Sequence, residues 1–476
     1  MEDIIIIGGG AVGAFVAREL SRYRLDVLVL EKQNDVGDAT SMANSAIVHS
    51  GYDPVPGTKK ARFNVEGNRM FPSICEELDV EFDPVGSLTV AVEERQLETL
   101  SSLAQRAKEN GVEAKLLSAD EIKAMEPHIT PEVKGALLCP TAGIVNPFTL
   151  VAHAFENALD NGVKLSLGEE VLSIEKTDDI FVLKTNKGVR KAKLVINCAG
   201  VKSEEIARMV DPSIPWTIHP RKGEYYVLDH FGKGFVNHVL FPLPSEKGKG
   251  ILMTMTTAGN YLVGPSSEWV DDKDDNATDK ATLENVRKQA TIMVPDIPFR
   301  EQIRVFAGLR STPSTHDFII EESANCPGFI LCAGIESPGL VSSPAIGKYV
   351  VSELVAKHFE LREKDNYEPR VRKYVHTSDL SDEQKNALIK ENPHFGEMVC
   401  NCEKVSLGEI EDVLSRSLPC LTIKAVKKRT RAGFGKCQGG FCQPKVLLLL
   451  AKHLGVSPAE VLYDRTGSNV LDKESK

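Results

Sequence analysis

Cys400 and Cys402 in "MVCNCEKV" and Cys437 and Cys442 in "GKCQGGFCQPKV" form a C-x-C pair followed by a C-x-x-x-x-C pair. Four thiolates satisfy the two tetrahedral irons of a 2Fe–2S cluster. They equally satisfy one tetrahedral zinc. Structural zinc more often uses C-x-x-C pairs, whereas "CNC" draws two thiolates from adjacent same-face positions. The glycines of "AGFGKCQGGFC" free backbone amides to hydrogen-bond sulfur, a lever on cluster potential. The spacing predicts a one-electron centre, with zinc as the alternative. Cys75, Cys139, Cys198, Cys326, Cys332 and Cys420 stand among apolar residues and read as buried core thiols.

The other end of the chain carries a phosphate-binding pattern. In "DIIIIGGGAVGAFVARELSRYRLDVLVLEK", Ile4 to Ile7 is an apolar run suited to a strand buried on both faces. Gly8, Gly10 and Gly13 follow with the spacing G-x-G-x-x-G. The first permits a tight turn, the second close approach to a pyrophosphate, and the third packing of a helix, Ala11 to Arg22, on the strand. That helix aims its N-terminal amides at the phosphates. Glu31 ends a second buried strand, where a carboxylate binds ribose hydroxyls.

The motif occurs once, so one dinucleotide is expected. Two further strands ending in glycine, "AKLVINCAG" (to Gly200) and "GFILCAG" (to Gly334), lie far downstream. A nicotinamide-binding Rossmann domain is usually continuous, so these scattered pieces predict one sheet interrupted by insertions. "GSLTVAV", "KGEYYVLD", "GILMTMT" and "GNYLVGPS" are β-rich and turn-bounded, and predict a second, mainly antiparallel layer.

With these motifs in order, the chain from Met1 to Phe359 resembles the flavin oxidoreductase family that contains D-amino-acid oxidase and the sarcosine and glycerol-3-phosphate dehydrogenases. "NSAIVHSGYDPVPGTKKARFNVEGNRMF" is similar to the flavin-adjacent segment of L-2-hydroxyglutarate dehydrogenases. "GALLCPTAGIVNPFTLVAHAFENALDNGV" and "FAGLRSTPSTHDFIIEES…AGIESPGLVSSPAIG" resemble the later flavin-binding sections. The block from Gly396 to Arg465 resembles the bacterioferritin-associated-ferredoxin-like 2Fe–2S domain, as found at the C-terminus of anaerobic glycerol-3-phosphate dehydrogenase catalytic subunits.

The resemblance implies FAD and a 2Fe–2S cluster as cofactors. It places the pyrophosphate at Gly8, Gly10 and Gly13, the adenosine ribose at Glu31, and adenine against the backbone of Val171. Ala199, Gly200 and Gly334 fall at strand ends near the dinucleotide. Ser41, Asn44 and Ser45 flank the flavin, and the amides of Gly339, Leu340 and Val341 face its N1 edge, where a helix start stabilises negative charge. The fold class implied is α/β. A Rossmann-like FAD-binding domain (1–85, 145–215 and 305–365) is interleaved with a mainly antiparallel β substrate domain (86–144 and 216–304). A linker (366–395), a small helical 2Fe–2S domain (396–466) and a tail (467–476) follow.

Oxidation of a hydroxyl or amine carbon needs a fixed cation for an anionic substrate and an acceptor for its proton. Arginine suits a carboxylate or phosphate because its planar fork makes two bonds. Arg310, just before the flavin loop, matches the family's substrate arginine. His49 is the leading proton acceptor and His219 the second, with Tyr225 and Arg221 as further pocket residues. The activity implied is oxidation of sn-glycerol 3-phosphate to dihydroxyacetone phosphate, electrons leaving through the cluster to a protein acceptor or partner redox subunit. The alternatives are an L-2-hydroxyglutarate or other 2-hydroxy-acid dehydrogenase, then an amine dehydrogenase, and finally a redox-sensing module without catalysis.

The 476 residues carry a net charge of −10, against nucleic-acid binding, which favours a basic domain. "MEDIIIIGGG" has neither basic n-region nor cleavage site, and its apolar run is too short to span a bilayer. The chain reads as cytoplasmic, its thiols reduced or metal-bound, with attachment to the inner face of a membrane through a partner left open. The basic run Lys424 to Lys436 reads as a solvated helix face or a docking site for an acidic redox partner, with nucleic acid as the alternative.

Overall fold

The structure is a computed structural model, and it describes residues 1–232, 234–244 and 250–473. The last three residues of the expected tail lie outside the described residues. Strand Glu2–Ile7 is the middle of the first sheet, parallel to Val27–Leu30 on one side and Gly188–Asn197 on the other. A strand so placed is covered on both faces, which is why it is four isoleucines long rather than alternating. Ile4 and Ile6 pack with Ala14 and Phe15 of helix Ala11–Leu20, while Ile5 and Ile7 pack with Val195 and Ile206 on the opposite face. Lys164–Ser166 extends the sheet beyond Val27–Leu30, and Phe329–Ala333 joins Gly188–Asn197 in parallel. An antiparallel ribbon, Val171–Thr177 with Ile180–Thr185, completes that side.

Two glycines set the helix packing. A Cβ on Gly13 would fall 2.0 Å from the Gly8 carbonyl oxygen, so only glycine lets helix Ala11–Leu20 start this close to its strand. A Cβ on Gly67 would fall 2.0 Å from the carbonyl oxygen of Val341, so helix Lys59–Glu77 seats against the start of helix Gly339–Tyr349 through the same device.

The second sheet runs Glu268–Trp269, Ile218–Leu228, Tyr261–Gly264, Leu252–Met255, Val239–Pro242, Ser87–Ala91, Gly135–Cys139, Lys115–Ser118. It is antiparallel except where Val239–Pro242 meets Ser87–Ala91. Gln302–Pro313 pairs antiparallel with Ile218–Leu228 from Ile218↔Pro313 to Leu228↔Gln302. The expectation that the dinucleotide part resumes at residue 305 is therefore corrected: this strand belongs to the second sheet, and the chain re-enters the first sheet at Ile319–Glu322. The long pairing with Ile218–Leu228 could not be read from either strand alone.

The C-terminal part is helical: Asp382–Glu391, Leu407–Leu414, Ile423–Thr430 and Gln443–Leu454, with a short ribbon of Met398–Cys400 and Val405–Ser406. Its attachment corrects the reading of the basic run. Lys427, Lys428 and Arg429 are buried, not solvated. Arg429 grips Asp35 with two nitrogens at 2.6 and 3.0 Å, and Lys428 reaches Asp35 and Asp38 at 2.7 and 2.6 Å. The acidic partner is the chain's own loop after Val27–Leu30, too distant in sequence for the charge pattern to reveal. Nearby, Arg416 pairs with Glu156 at 2.8 Å, lies over the Tyr374 ring, and donates to the carbonyls of Arg372 and Lys373. The connecting segment is thereby docked on helix Pro147–Asp160.

Burial works to raise the Asp35 carboxyl, but the charges of Arg429 and Lys428 outweigh it and hold the group down to about 2. A depressed carboxyl contributes its stability above the unfolded value, near 3.9, and loses it as pH falls through the folded value. Hydrogen exchange of Ile423–Thr430, corrected for intrinsic rate, should keep full protection at pH 5 and lose it progressively between about pH 4 and 2. Protection that does not change across this window would show that the ion pair carries no docking energy.

Candidate active site and four-cysteine centre

A cavity of about 860 Å³ opens between the two sheets. One end is walled by Gly10, Ala11 and Val12, the middle by Ser41, Asn44, Ser45, Gly200, Gly339 and Leu340, and the far end by His49, Tyr225, Arg221 and Arg310. The other expected dinucleotide residues stand behind these walls. Glu31 accepts from the amides of Gly9 at 2.5 Å and Gln33 at 2.8 Å, beneath the glycine turn. Burial pushes its carboxyl up against the pull of those amides. Val171 begins its strand two residues after Glu169, whose amide bonds the Glu31 carbonyl. Gly8 and Gly13 form the turn, Ala199 follows the strand end, and Gly334 turns against Pro313. The Val341 side chain is wholly buried in the core.

Whether these residues suit a dinucleotide can be read from their backbone. Helices Ala11–Leu20 and Gly339–Tyr349 both start at the cavity without a side-chain cap and without an acid in the first turn. By contrast, Thr58, Asn146 and Asp279 cap three other helices. Ala11 donates to Ser41 Oγ at 2.9 Å. Among the described residues, no acceptor meets the amides of Val12 and Gly13, nor those of Leu340 and Val341. Uncapped N-termini are anion sites, and the residues present fit a dinucleotide with its phosphates at one end and an electron-accepting ring at the other.

The far end holds an unusual charge arrangement. The register of Ile218–Leu228 on Gln302–Pro313 puts Arg221 directly opposite Arg310, and like charges so placed repel. Arg221 pairs with Glu336 at 2.9 Å, and the same carboxylate takes Lys60 at 2.7 Å and Thr312 Oγ1 at 2.7 Å. Charge from Lys60 and Arg221 holds Glu336 down in spite of burial. The Nε of Arg221 is buried with no partner among the described residues. Arg310 donates to the carbonyls of Arg221 at 3.4 Å and Ser266 at 3.2 Å and to the Tyr225 hydroxyl, and among the described residues it meets no carboxylate. Burial lowers its guanidinium, Tyr225 opposes that, and Arg221 adds to it. The site thus assembles three cations around one carboxylate.

Tyr225 stacks on Phe306 with centroids 4.6 Å apart, and its hydroxyl meets Ser45 Oγ at 3.2 Å. His49 lies against Phe241, and its carbonyl accepts from Asn64 at 2.7 Å and Asn68 at 3.2 Å, which fixes it to helix Lys59–Glu77. His219 is corrected as a candidate. It is exposed, bonds Thr217 at 2.9 Å and does not line the cavity. It shares a strand face with Tyr225 but lies six residues away, about 20 Å along an extended chain. Lys60 and Glu336 went unread, although both fall inside the segments "GTKKARF" and "GIESPGL" that were singled out.

All ten cysteines are unpaired by disulfides. The thiols of the C-terminal four come together in two pairs: Cys402 and Cys437 are 3.7 Å apart, and Cys442 donates to Cys400. That donation pulls Cys400 down to about 6, against burial, with help from the amides of Glu403, Gly433 and Cys402. Burial pushes Cys437 up, but the amides of Phe441, Gly439 and Gly440 outweigh it. Helix Gln443–Leu454 starts directly after Cys442 without a side-chain cap, so its positive end also faces the sulfurs. Among the described residues no three His, Cys, Asp or Glu side chains gather around one point as a single metal would require. Each pair thus sets one lowered thiol, Cys400 or Cys437, beside a raised one, Cys442 or Cys402, and four sulfurs gathered as two pairs suit the two irons of a cluster.

A dinucleotide cleft over a parallel sheet and a cation-lined pocket under an antiparallel one define a dinucleotide-dependent oxidoreductase, to which a four-thiol centre is appended. Residues 3–353 match the family described as FAD dependent oxidoreductase, and residues 398–452 match the BFD-like [2Fe-2S] binding domain. The chain belongs to the FAD-dependent oxidoreductase family and carries a C-terminal 2Fe–2S domain. Glycerol 3-phosphate dehydrogenase of Caloramator mitchellensis is 43% identical over 477 residues, covering 100% of this chain and 99% of that one. L-2-hydroxyglutarate dehydrogenase of Escherichia coli K12 is 29% identical over 56% of this chain and 64% of its own. Dithionite-reduced L-alpha-glycerophosphate oxidase from Mycoplasma pneumoniae, solved with FAD bound, superposes with a TM-score of 0.74 at 29% identity, over 78% of this chain and 98% of its own. Among the described residues no helix is long and apolar enough to cross a membrane.

Proposed function

We propose that this chain is a glycerol-3-phosphate dehydrogenase, oxidising the C2 hydroxyl of sn-glycerol 3-phosphate to dihydroxyacetone phosphate and sending the electrons through its 2Fe–2S cluster to a protein acceptor. The observation that carries this reading is the charge at the far end of the cavity. Arg310, Arg221 and Lys60 gather about Glu336, among the described residues the one buried carboxylate of the lining, while Asp53, Glu93 and Glu268 stand toward its more exposed parts. A phosphate monoester brings −1.5 to −2 charge at a single point. L-2-hydroxyglutarate brings a comparable charge, but divided between carboxylates on either side of the reacting carbon, which would call for two separate cationic sites. The full-length likeness to a glycerol 3-phosphate dehydrogenase supports the same choice.

Gly8, Gly10 and Gly13 with the free amides of Val12 would hold the FAD pyrophosphate, and Glu31 the ribose, with Val171, Ala199, Gly200 and Gly334 around the adenosine half. Ser41, Asn44 and Ser45 would flank the flavin, and the Leu340 and Val341 amides would face its electron-rich edge. When bound, the flavin would supply a hydride acceptor for C2 and the cluster a one-electron centre. The chain's own residues do the rest. Arg310 and Arg221 fix the phosphate, orienting C2, and the Tyr225 hydroxyl, anchored to Ser45, closes the pocket wall. His49, held by Asn64 and Asn68, receives the hydroxyl proton as the carbonyl forms. An oxidase needs only oxygen at its flavin. This chain, which extends beyond the glycerophosphate oxidase it superposes on, has an exit of its own.

An anaerobic titration of the purified protein, followed at the flavin band at about 450 nm, tests the substrate. Bleaching by sn-glycerol 3-phosphate well below the concentration of L-2-hydroxyglutarate needed for the same effect is expected. Bleaching by L-2-hydroxyglutarate alone would move the assignment to the 2-hydroxy-acid branch and make Arg310 a carboxylate clamp.

A further inference from the structure

The four cluster cysteines differ in exposure: Cys400 and Cys442 are buried, Cys437 is intermediate and Cys402 is exposed. Beside them Phe441 is 83% exposed, although its own amide is bound to the Cys437 sulfur. The backbone there is fixed by the thiols, so the ring is held out in water rather than left loose. Phe441 begins a stripe that continues with Lys445, Leu448 and Lys452 at helical spacing along Gln443–Leu454, where Leu448 is 59% exposed. The Lys445 amine reaches the carbonyl of Met398, itself 39% exposed, and so ties the stripe to the ribbon that carries Cys400.

Lysines predominate around this apolar patch, although exposed Glu397 adjoins Met398 and Lys436 also lies 3.7 Å from both Asp229 and Glu301. Residues 398–404 and 436–452 contain Lys404, Lys436, Lys445 and Lys452, and one acid, Glu403, which is turned in to Arg431 at 2.7 Å. This basic rim belongs to a chain whose net charge is −10. Resting on the reading that electrons leave through the cluster, we propose that the Phe441–Leu448 stripe and its lysine rim are the docking surface for a one-electron carrier protein with an acidic face. An exposed aromatic ringed by charge has the anatomy of an interface centre and its rim. Complementary charge speeds encounter more than it adds affinity. The site of docking is also the place where a cysteine ligand comes to the surface, which keeps the transfer distance short.

The test uses the full-length enzyme carrying both cofactors, with sn-glycerol 3-phosphate as donor and two carriers of opposite charge: the acidic soluble haem domain of cytochrome b5 and basic cytochrome c. Wild-type protein should reduce cytochrome b5 faster, at a rate that falls as salt is raised. The variant Phe441→Ser with Lys445→Glu and Lys452→Glu should lose at least about tenfold toward cytochrome b5 and gain or hold toward cytochrome c. Its flavin bleaching by substrate should be unchanged, since none of the three residues lines the cavity. A cluster that is reduced by substrate in a variant no slower than wild type toward cytochrome b5 would overturn the surface and leave the exit reading standing. A bleached flavin beside a cluster that stays oxidised would overturn both. A wild-type dimer that the variant breaks apart would give the surface to a second copy of this chain and overturn the carrier proposal.

Discussion

Arg310→Ala is expected to lower kcat/KM for sn-glycerol 3-phosphate by about 2–5 kcal/mol, roughly 30-fold to several thousand-fold, because a buried anion loses its bidentate partner. The loss should fall on both KM and kcat, since the anion grip also orients C2. The structure adds a second, less usual expectation. Arg310 faces Arg221 across the paired strands and has no carboxylate of its own among the described residues, so removing it relieves a repulsion. The substrate-free variant should therefore melt no lower than wild type. A variant that loses activity and also stability would mark Arg310 as a structural ion rather than a substrate anchor. Arg310→Lys should recover charge but not the two-bond geometry, and so only part of the loss. An unchanged kcat/KM in Arg310→Ala would remove this residue from the site.

Cys437→Ser is expected to leave flavin bleaching by substrate intact while abolishing transfer to a one-electron protein acceptor. The cluster part is fastened by Arg429 and Lys428 on Asp35 and Asp38, and by Arg416 on Glu156, none of which involves a cysteine. Removing one thiol of the Cys402–Cys437 pair should empty the relay without loosening the loop held at Asp35 and Asp38, whose continuation from Thr40 to Ser45 lines the cavity. Cys402→Ser should behave alike, being the other member of that pair. If either variant is purified without FAD, the two parts are coupled more tightly than these contacts imply.

Much of the geometry was legible from local signals. The glycine spacing at Gly8, Gly10 and Gly13 dictates a strand, a turn and a helix start within a few residues, so sequence order and spatial order coincide there. The cysteine pairs are likewise short-range. Arg310 is legible through its place just before the flavin loop and its likeness to the family's substrate arginine, and the structure sets it in the cavity wall. What was missed depends on long-range juxtaposition. Glu336 matters because Lys60, Arg221 and Thr312 converge on it from three different elements. The run around Lys428 has the charge of a docking face, and only the tertiary structure shows that Asp35 and Asp38 already occupy it. His219 has the right residue type on the right strand face, and strand length alone carries it out of reach.

The central claim is that electrons taken from sn-glycerol 3-phosphate pass from the flavin site to the four-cysteine centre of the same chain. Electron paramagnetic resonance of the full-length protein, frozen anaerobically after one equivalent of sn-glycerol 3-phosphate, tests it most directly. The account predicts the signal of a reduced 2Fe–2S cluster, absent before substrate and absent from Cys437→Ser. A flavin fully bleached by substrate beside a cluster that gives no signal, yet gives one with dithionite, would contradict it.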